Sequence, residues 1–260
     1  MALERLSQMP GVLPAAFRKP EARKLPVQRG LLRITGDTLE GPRETDCFDI
    51  VTGPGGDVGV VLLDVHTRYL EPGEVGQQLL RKAALGITER TPLHAIMLDL
   101  VRTLFEFPGT ELRVTIMRCS VADARAEITT AGMPPVACVN PGGHVTVHAA
   151  SSQPLTSTTT APPAVEVVPL VWGSTWMAVS DGFTAGSAHP DVVRRLAHEL
   201  ELHERGLSLS AQTPDALYEL LAGRVSESGR FSRDDATLVL IGADPHARFQ
   251  SGISAGQESE

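Results

Sequence analysis

Short apolar runs separated by turns dominate the chain and predict a protein built largely from β-strands. In these runs Val, Ile and Leu alternate with polar residues or follow one another directly, as in half-buried and fully buried strands. Ten segments fit this description: 31–35, 47–53, 58–65, 111–121, 124–132, 135–140, 144–149, 165–171, 175–180 and 236–241. The loop 54–57 has the glycines that a tight turn needs, so it predicts a hairpin between the second and third segments.

Helical segments are fewer and lie in two groups. Apolar residues recur every three or four positions over 73–87 and 92–107, and two more helices are expected at about 190–205 and 214–228. Thr91 precedes Pro92, which predicts that Thr91 caps the second helix and that the proline occupies its first turn.

The order of these elements predicts an α+β fold. Most neighbouring strands are joined by turns too short for a crossover helix, so antiparallel pairing is favoured. Nine or ten strands exceed one small sheet, and we predict a four-layer αββα sandwich of two mainly antiparallel sheets flanked by helices. One domain is expected over 29–243, with an N-terminal extension over 1–28 and a C-terminal tail over 244–260.

Composition narrows the functional class. The net charge of the 260 residues is −8, which argues against nucleic acid or an anionic membrane as a partner. The three cysteines form no CxxC pair, as expected for buried thiols in a reducing cytosol. No apolar run approaches the roughly 18 residues of a membrane span, and the N-terminus does not resemble a secretion signal. A cytoplasmic location is therefore expected.

Four aspartates each lie beside a strand-like run, and they are the candidates for chemistry. They are Asp46, Asp64, Asp181 and Asp234. Asp46 and Asp64 would lie close together across the hairpin, and convergence of all four would concentrate negative charge. Packed carboxylates repel one another unless a cation neutralises them, and Mg²⁺ or Mn²⁺ suits all-oxygen ligands.

Each aspartate also has a simpler interpretation. Asp181-Gly182 alone is more typical of a turn, and Asp234 with Asp235 could form a solvated loop pair. Asp64 differs because it ends a run of four aliphatic residues, where a carboxylate needs a partner or a cation.

Five strings, in order, resemble a known family. They are ETDCFD (44–49), VVLLDV (60–65), TTAGMPP (129–135), VSDGFT (179–184) and RDDATLVLI (233–241). The sequence resembles the metal-dependent serine/threonine protein phosphatases of type 2C, and most closely their bacterial branch typified by sporulation stage II protein E. The resemblance covers roughly residues 30–243, and it implies the same αββα sandwich.

The resemblance implies a role for each aspartate. Asp46 and Asp64 would ligate a pair of Mn²⁺ or Mg²⁺ ions, with Asp46 bridging them and the backbone carbonyl of Val65 as a further ligand. Asp181 and Asp234 would complete the shell of the second ion. Water activated by the two ions would attack the phosphate. A set of secondary candidates comprises Asp235, Gly182, Arg43, His66 and Arg68, the histidine as a general acid and the arginines as phosphate contacts.

The implied substrate is phosphoserine or phosphothreonine on a regulatory protein. In this branch that protein is often an anti-sigma-factor antagonist, which implies signal transduction by partner switching in transcription or stress control. The sequence departs from the family pattern at Glu44-Thr45, at the segment 66–73 and at Met133, where relatives carry glycines or histidine. A catalytically impaired pseudophosphatase that binds phosphoprotein is therefore the alternative hypothesis.

Overall fold

The computed structural model describes residues 27–29, 31–39, 45–53, 56–149, 152–184, 187–212, 216, 219 and 235–244. Its strands are β1 Val27–Arg29, β2 Leu32–Leu39, β3 Asp46–Thr52, β4 Val58–His66, β5 Glu111–Ser120, β6 Arg125–Ala131, β7 Val136–Val139, β8 Val145–His148, β9 Glu166–Pro169, β10 Thr175–Val179 and β11 Ala236–Ala243. Its helices are α1 Pro72–Thr88, α2 Leu93–Leu104, α3 Pro190–Glu199 and α4 Leu202–Leu209, and a 3₁₀ turn spans Asp181–Thr184.

The described strands form two sheets. One has the order β1-β2-β11-β10-β7-β8 and the other the order β3-β4-β5-β6-β9, and every pair of neighbours is antiparallel. The predicted antiparallel pairing is confirmed. The last strand, β11, lies between β2 and β10, so an early strand and the last strand of the described chain pair in the middle of one sheet.

The buried apolar side chains form three layers, one between the two sheets and one between each sheet and its helices. In β4, Val58 and Val60 pack between the sheets, while Val61, Leu63 and Val65 pack beneath the helices, because successive side chains point to opposite faces. The middle layer joins residues of both sheets, among them the fully buried Trp176.

Helices cover the outer face of each sheet. The hairpin of α1 and α2 buries its apolar face on the five-stranded sheet, and α3 and α4 do so on the six-stranded sheet. The four-layer αββα sandwich predicted from the sequence is thus confirmed.

Several local predictions need correction. Residue Pro92, not Thr91, is the N-cap of α2, and no side chain bonds to that end of the helix. The helix predicted at 190–205 is two helices, since Glu201 has φ of 53° and breaks the hydrogen-bond ladder between them. A short strand, β1, precedes the first one expected. Of the segment 214–228 only residues 216 and 219 are described, both helical.

Within the described part of the chain, none of the helices has the length and apolar character that crossing a membrane requires. The three cysteines carry free thiols, and two of them, Cys119 and Cys138, are buried.

Candidate active site

The two aspartates of the β3–β4 hairpin lie directly opposite each other. Asp46 begins β3, Asp64 lies near the end of β4, and the two form a register pair. Asp64 shares the face of β4 that Val58 and Val60 turn towards the other sheet, so both carboxylates lie at the end of the middle core layer. Asp64 is 1% exposed, which makes its charge costly unless a partner compensates it.

Asp46 is held from the opposite sheet. The Thr237 hydroxyl of β11 donates to Asp46 Oδ2 over 2.8 Å, and the Asp46 amide donates to Asp235 Oδ2 over 3.2 Å. Burial raises the pKa of the Asp46 carboxyl well above its usual value, and the charges of Asp64 and Asp235 raise it further, against hydrogen bonds from Ser180 and Thr237. The surroundings of Asp46 therefore favour either a proton on its carboxyl group or a cation bound to it.

Asp181 reaches the same region from the end of β10. It begins the 3₁₀ turn, and its side chain is 11% exposed. A Cβ atom on the next residue, Gly182, would overlap the carbonyl oxygen of Asp235, so only glycine allows this turn to lie against the start of β11. The motif Asp181-Gly182 is thus more than a surface turn, because it packs against the strand that holds Asp46.

Sequence reasoning missed Arg113, which occupies the middle of this cluster. It lies on β5 opposite Asp64, and its Nη1 atom pairs with Asp181 Oδ2 and lies 3.5 Å from Asp64 Oδ2. Its Nε atom is 3.5 Å from Glu111 Oε1. A signal was present in the alternation of β5, where Arg113 shares the inward face of Met117 and Cys119 and so requires an acidic partner.

Other predicted residues have varied positions. His66 Nε2 lies 2.9 Å from Asp64 Oδ2 with its side chain 29% exposed, and Arg68 is exposed in the following loop. Val65 is fully buried, and its amide donates to the carbonyl oxygen of Thr45. Two predicted residues, Arg43 and Asp234, lie outside the described residues.

The Asp46–Asp64 pair offers the oxygen ligands that a hard dication prefers. Asp64 Oδ1 is buried without a hydrogen-bond partner, and burial desolvates the Asp46 carboxyl in the same register pair. Mg²⁺ is commonly held by one or two carboxylates with water completing its shell. Asp181, in contrast, is already paired with a guanidinium. Among the described residues, no group of three or more His, Cys, Asp or Glu side chains is arranged to hold a metal ion.

Comparison with known proteins identifies the family. The family model of Stage II sporulation protein E (SpoIIE) matches residues 54–244, well over half of the chain. The chain belongs to the SpoIIE family. None of the curated proteins matches its sequence.

Solved structures share the fold of this SpoIIE-family chain at low identity. The RsbU and RsbW domains of a Mycobacterium tuberculosis protein superpose with a TM-score of 0.63 and 20% identity, over 81% of this chain and 59% of that one. The phosphatase domain of SpoIIE from Bacillus subtilis, with a fragment of its regulatory domain, gives 0.63 and 14%, over 81% and 63%. RsbX in complex with magnesium gives 0.61 and 12%, over 81% and 94%. The chain therefore spans less than two thirds of the first two.

The likeness establishes a type 2C phosphatase fold for this SpoIIE-family chain, and that class of phosphatase is metal-dependent. At these identities the role of each side chain has to be argued from its own surroundings. Two features bear on these roles. One is the Asp46–Asp64 pair, and the other is the Arg113 bridge, the contacts of the Arg113 guanidinium with Asp64 and Asp181.

Proposed function

We propose that this chain hydrolyses phosphoserine or phosphothreonine on a regulatory protein and that it requires Mn²⁺ or Mg²⁺. The observation that carries the proposal is the Asp46–Asp64 register pair, in which a buried carboxylate oxygen has no hydrogen-bond partner. A dication would satisfy that oxygen and relieve the repulsion between the two carboxylates.

The residues around the pair have distinct roles in this proposal. A dication bound there would supply charge neutralisation for the phosphoryl oxygens and a more acidic water. Asp46 and Asp64 would hold it, while Thr237 and Ser180 orient Asp46 from the second sheet. His66 contacts Asp64 and is partly exposed, so it is placed to carry a proton to the departing serine or threonine oxygen.

The proposed substrate is a phosphorylated anti-sigma-factor antagonist in the cytoplasm. Support comes from family membership and from the fold shared with RsbU and RsbW domains and with a protein of the bacterial stressosome. The net charge of −8 offers no general attraction for a phosphoprotein, so recognition would depend on local cations. In the same proposal, residues 29–243 form the catalytic domain, between an N-terminal extension and a C-terminal tail.

The Arg113 bridge favours a second candidate function. Because the guanidinium pairs with both Asp64 and Asp181, two of the predicted ligands already have a cationic partner. A protein that keeps the sandwich and binds a phosphoprotein without hydrolysing it, a pseudophosphatase, would be consistent with that pairing.

The deciding experiment is hydrolysis of p-nitrophenyl phosphate and of a phosphoserine protein with and without Mn²⁺. We expect Mn²⁺-dependent turnover that falls at least about 100-fold in Asp64→Ala and Asp181→Ala. The matched control is Asp99→Ala, because Asp99 is an exposed acid on α2 paired only locally with Arg102. Equal turnover in the parent and the two site variants would rule out this site. Absence of turnover, with phosphoprotein binding retained, would favour the pseudophosphatase.

A further inference from the structure

We propose that the Arg113 guanidinium takes the place of one of the two cations that the family resemblance implies, so that the chain binds a single dication. The inference rests on the proposed function because it concerns the same carboxylates. It adds the number of bound ions and names Arg113 as the residue that limits this number to one.

The guanidinium lies between carboxylates from three different segments. Asp64 comes from β4, Asp181 from the turn after β10, and Glu111 from the start of β5. The resemblance implies that Asp181 is a ligand of the second ion. Here Asp181 has a guanidinium as its positive partner, on a side chain that is three-quarters buried.

An arginine in the place of a metal ion keeps its positive charge under all ordinary conditions. A guanidinium stays protonated in proteins, so it cannot lose its charge to make room for a metal ion. Its planar set of N–H donors forms charge-assisted hydrogen bonds with several carboxylates at once. A metal ion that bound Asp181 would have to displace the guanidinium and would be repelled by its fixed positive charge.

The backbone around Arg113 is built to admit its stem. Gly132 has φ of 68°, and a Cβ atom there would lie 2.8 Å from Arg113 Cγ and 2.8 Å from Pro154 Cγ. The left-handed backbone already favours glycine at this position, and the absence of a side chain leaves room for the arginine stem to extend towards Asp64 and Asp181.

Among the described residues, the Asp46–Asp64 pair offers a buried carboxylate oxygen to a metal ion. Asp64 Oδ2 is bonded by His66 and approached by Arg113, whereas Asp64 Oδ1 is buried with no partner. That oxygen is available to a single ion shared with Asp46. The two oxygens of Asp64 would therefore have different partners: Arg113 at Oδ2 and the metal ion at Oδ1.

Native mass spectrometry of the full chain with Mn²⁺ measures the number of bound ions directly. We expect one Mn²⁺ per chain in the parent and two in Arg113→Met, which removes the charge but keeps an apolar stem of similar length. Arg113→Lys retains a positive charge and should remain at one. The matched control is Arg118→Met: Arg118 lies on the same strand and pairs with Glu127, away from the cluster, so one ion is expected.

Two results would overturn the inference: two Mn²⁺ ions on the parent, or a count that does not change in Arg113→Met. Arg113→Gln, which keeps hydrogen-bond donors, gives the same test if the methionine variant does not fold. The ion count of the parent chain tests the inference without any variant. A different result, a parent chain that binds one Mn²⁺ but hydrolyses no phosphate ester, would contradict the proposed function and leave this inference standing.

Discussion

Two groups of ionisable side chains join the two sheets of this protein. One has more acidic than basic groups, and the other is a pair of one acid and one base. At one, Asp64 and Asp181 pair with Arg113 and Asp46 lies opposite Asp64, so acidic groups are in excess. At the other, Glu166 at the start of β9 pairs with His148 at the end of β8, and their Oε1 and Nδ1 atoms are 2.8 Å apart.

The pKa values of the two groups follow this difference. Burial and neighbouring carboxylates raise the pKa of Asp46 well above its usual value. At Glu166 burial also raises the pKa, but the hydrogen bonds from His148 and from the Ala149 amide, with the charge of His148, outweigh it and lower the pKa overall. A matched pair stabilises the folded chain, whereas an acidic excess costs stability. Such an excess is typical of a functional site.

The largest test of this contrast is Asp46→Asn. If the acidic excess serves a bound cation, we expect Mn²⁺-dependent hydrolysis to fall by about 10³-fold, or about 4 kcal/mol. The metal-free protein should melt at a higher temperature than the parent, because a buried and repelled charge has been removed. Phosphatase kinetics and thermal melting with and without Mn²⁺ measure the two effects.

The control for that experiment is Asp99→Asn, an exposed change on α2 that should alter stability by less than about 0.5 kcal/mol. A metal-free Asp46→Asn protein less stable than the parent would contradict the view of Asp46 as a strained carboxylate. It would make the cluster a structural network like the Glu166 pair.

How far the sequence predicts this cluster depends on the length of chain between its members. The Asp46–Asp64 pairing was predictable, since a short hairpin loop sets the register and alternation sets the face. Their role in binding metal stays a prediction. Arg113 was harder to place, because the register of β4 against β5 is established only after the chain has passed through α1 and α2.

Local exceptions escaped prediction for a different reason. The break between α3 and α4 depends on the left-handed backbone of Glu201. That conformation is typical of glycine or asparagine, so a glutamate there gives no sequence signal. The tight packing of Gly182 on Asp235 depends on where the turn meets β11. Such features are decided by tertiary contacts, whereas sheets, layers and order of elements follow from apolar periodicity that each segment carries itself.

A smaller test compares two buried threonines. Thr237 donates to Asp46 Oδ2 over 2.8 Å, whereas Thr35 Oγ1 on the neighbouring strand β2 is buried without a hydrogen-bond partner. We expect Thr237→Val to lower the free energy of unfolding by about 2 kcal/mol, because it removes a hydrogen bond to a buried carboxyl group. Thr35→Val should be neutral or stabilising. Urea unfolding of both variants measures the difference.

Equal losses in the two threonine variants would show that methyl packing, and not the bond to Asp46, determines the cost at position 237. A loss confined to Thr237→Val would show that the second sheet holds Asp46 in place.

The smallest test concerns the matched pair. Since the pKa of Glu166 is lower in the folded chain, the folded state binds fewer protons than the unfolded state when this group titrates. Its stabilising contribution is complete above the usual value of 4.5 and is lost as the pH falls through the folded pKa. Glu166→Gln removes that contribution, by less than about 1 kcal/mol because the side chain is 42% exposed and screened by water.

Urea unfolding between pH 3 and pH 7 measures this dependence on pH. The parent should lose its advantage over Glu166→Gln as the medium becomes acidic. The matched control is Glu204→Gln, because Glu204 also lies beside a histidine, His203, at 3.4 Å but is 72% exposed, so little change is expected at any pH. If Glu166→Gln instead became relatively more stable as the pH rose, Glu166 would behave as Asp46 does, and the contrast between the two groups would not hold.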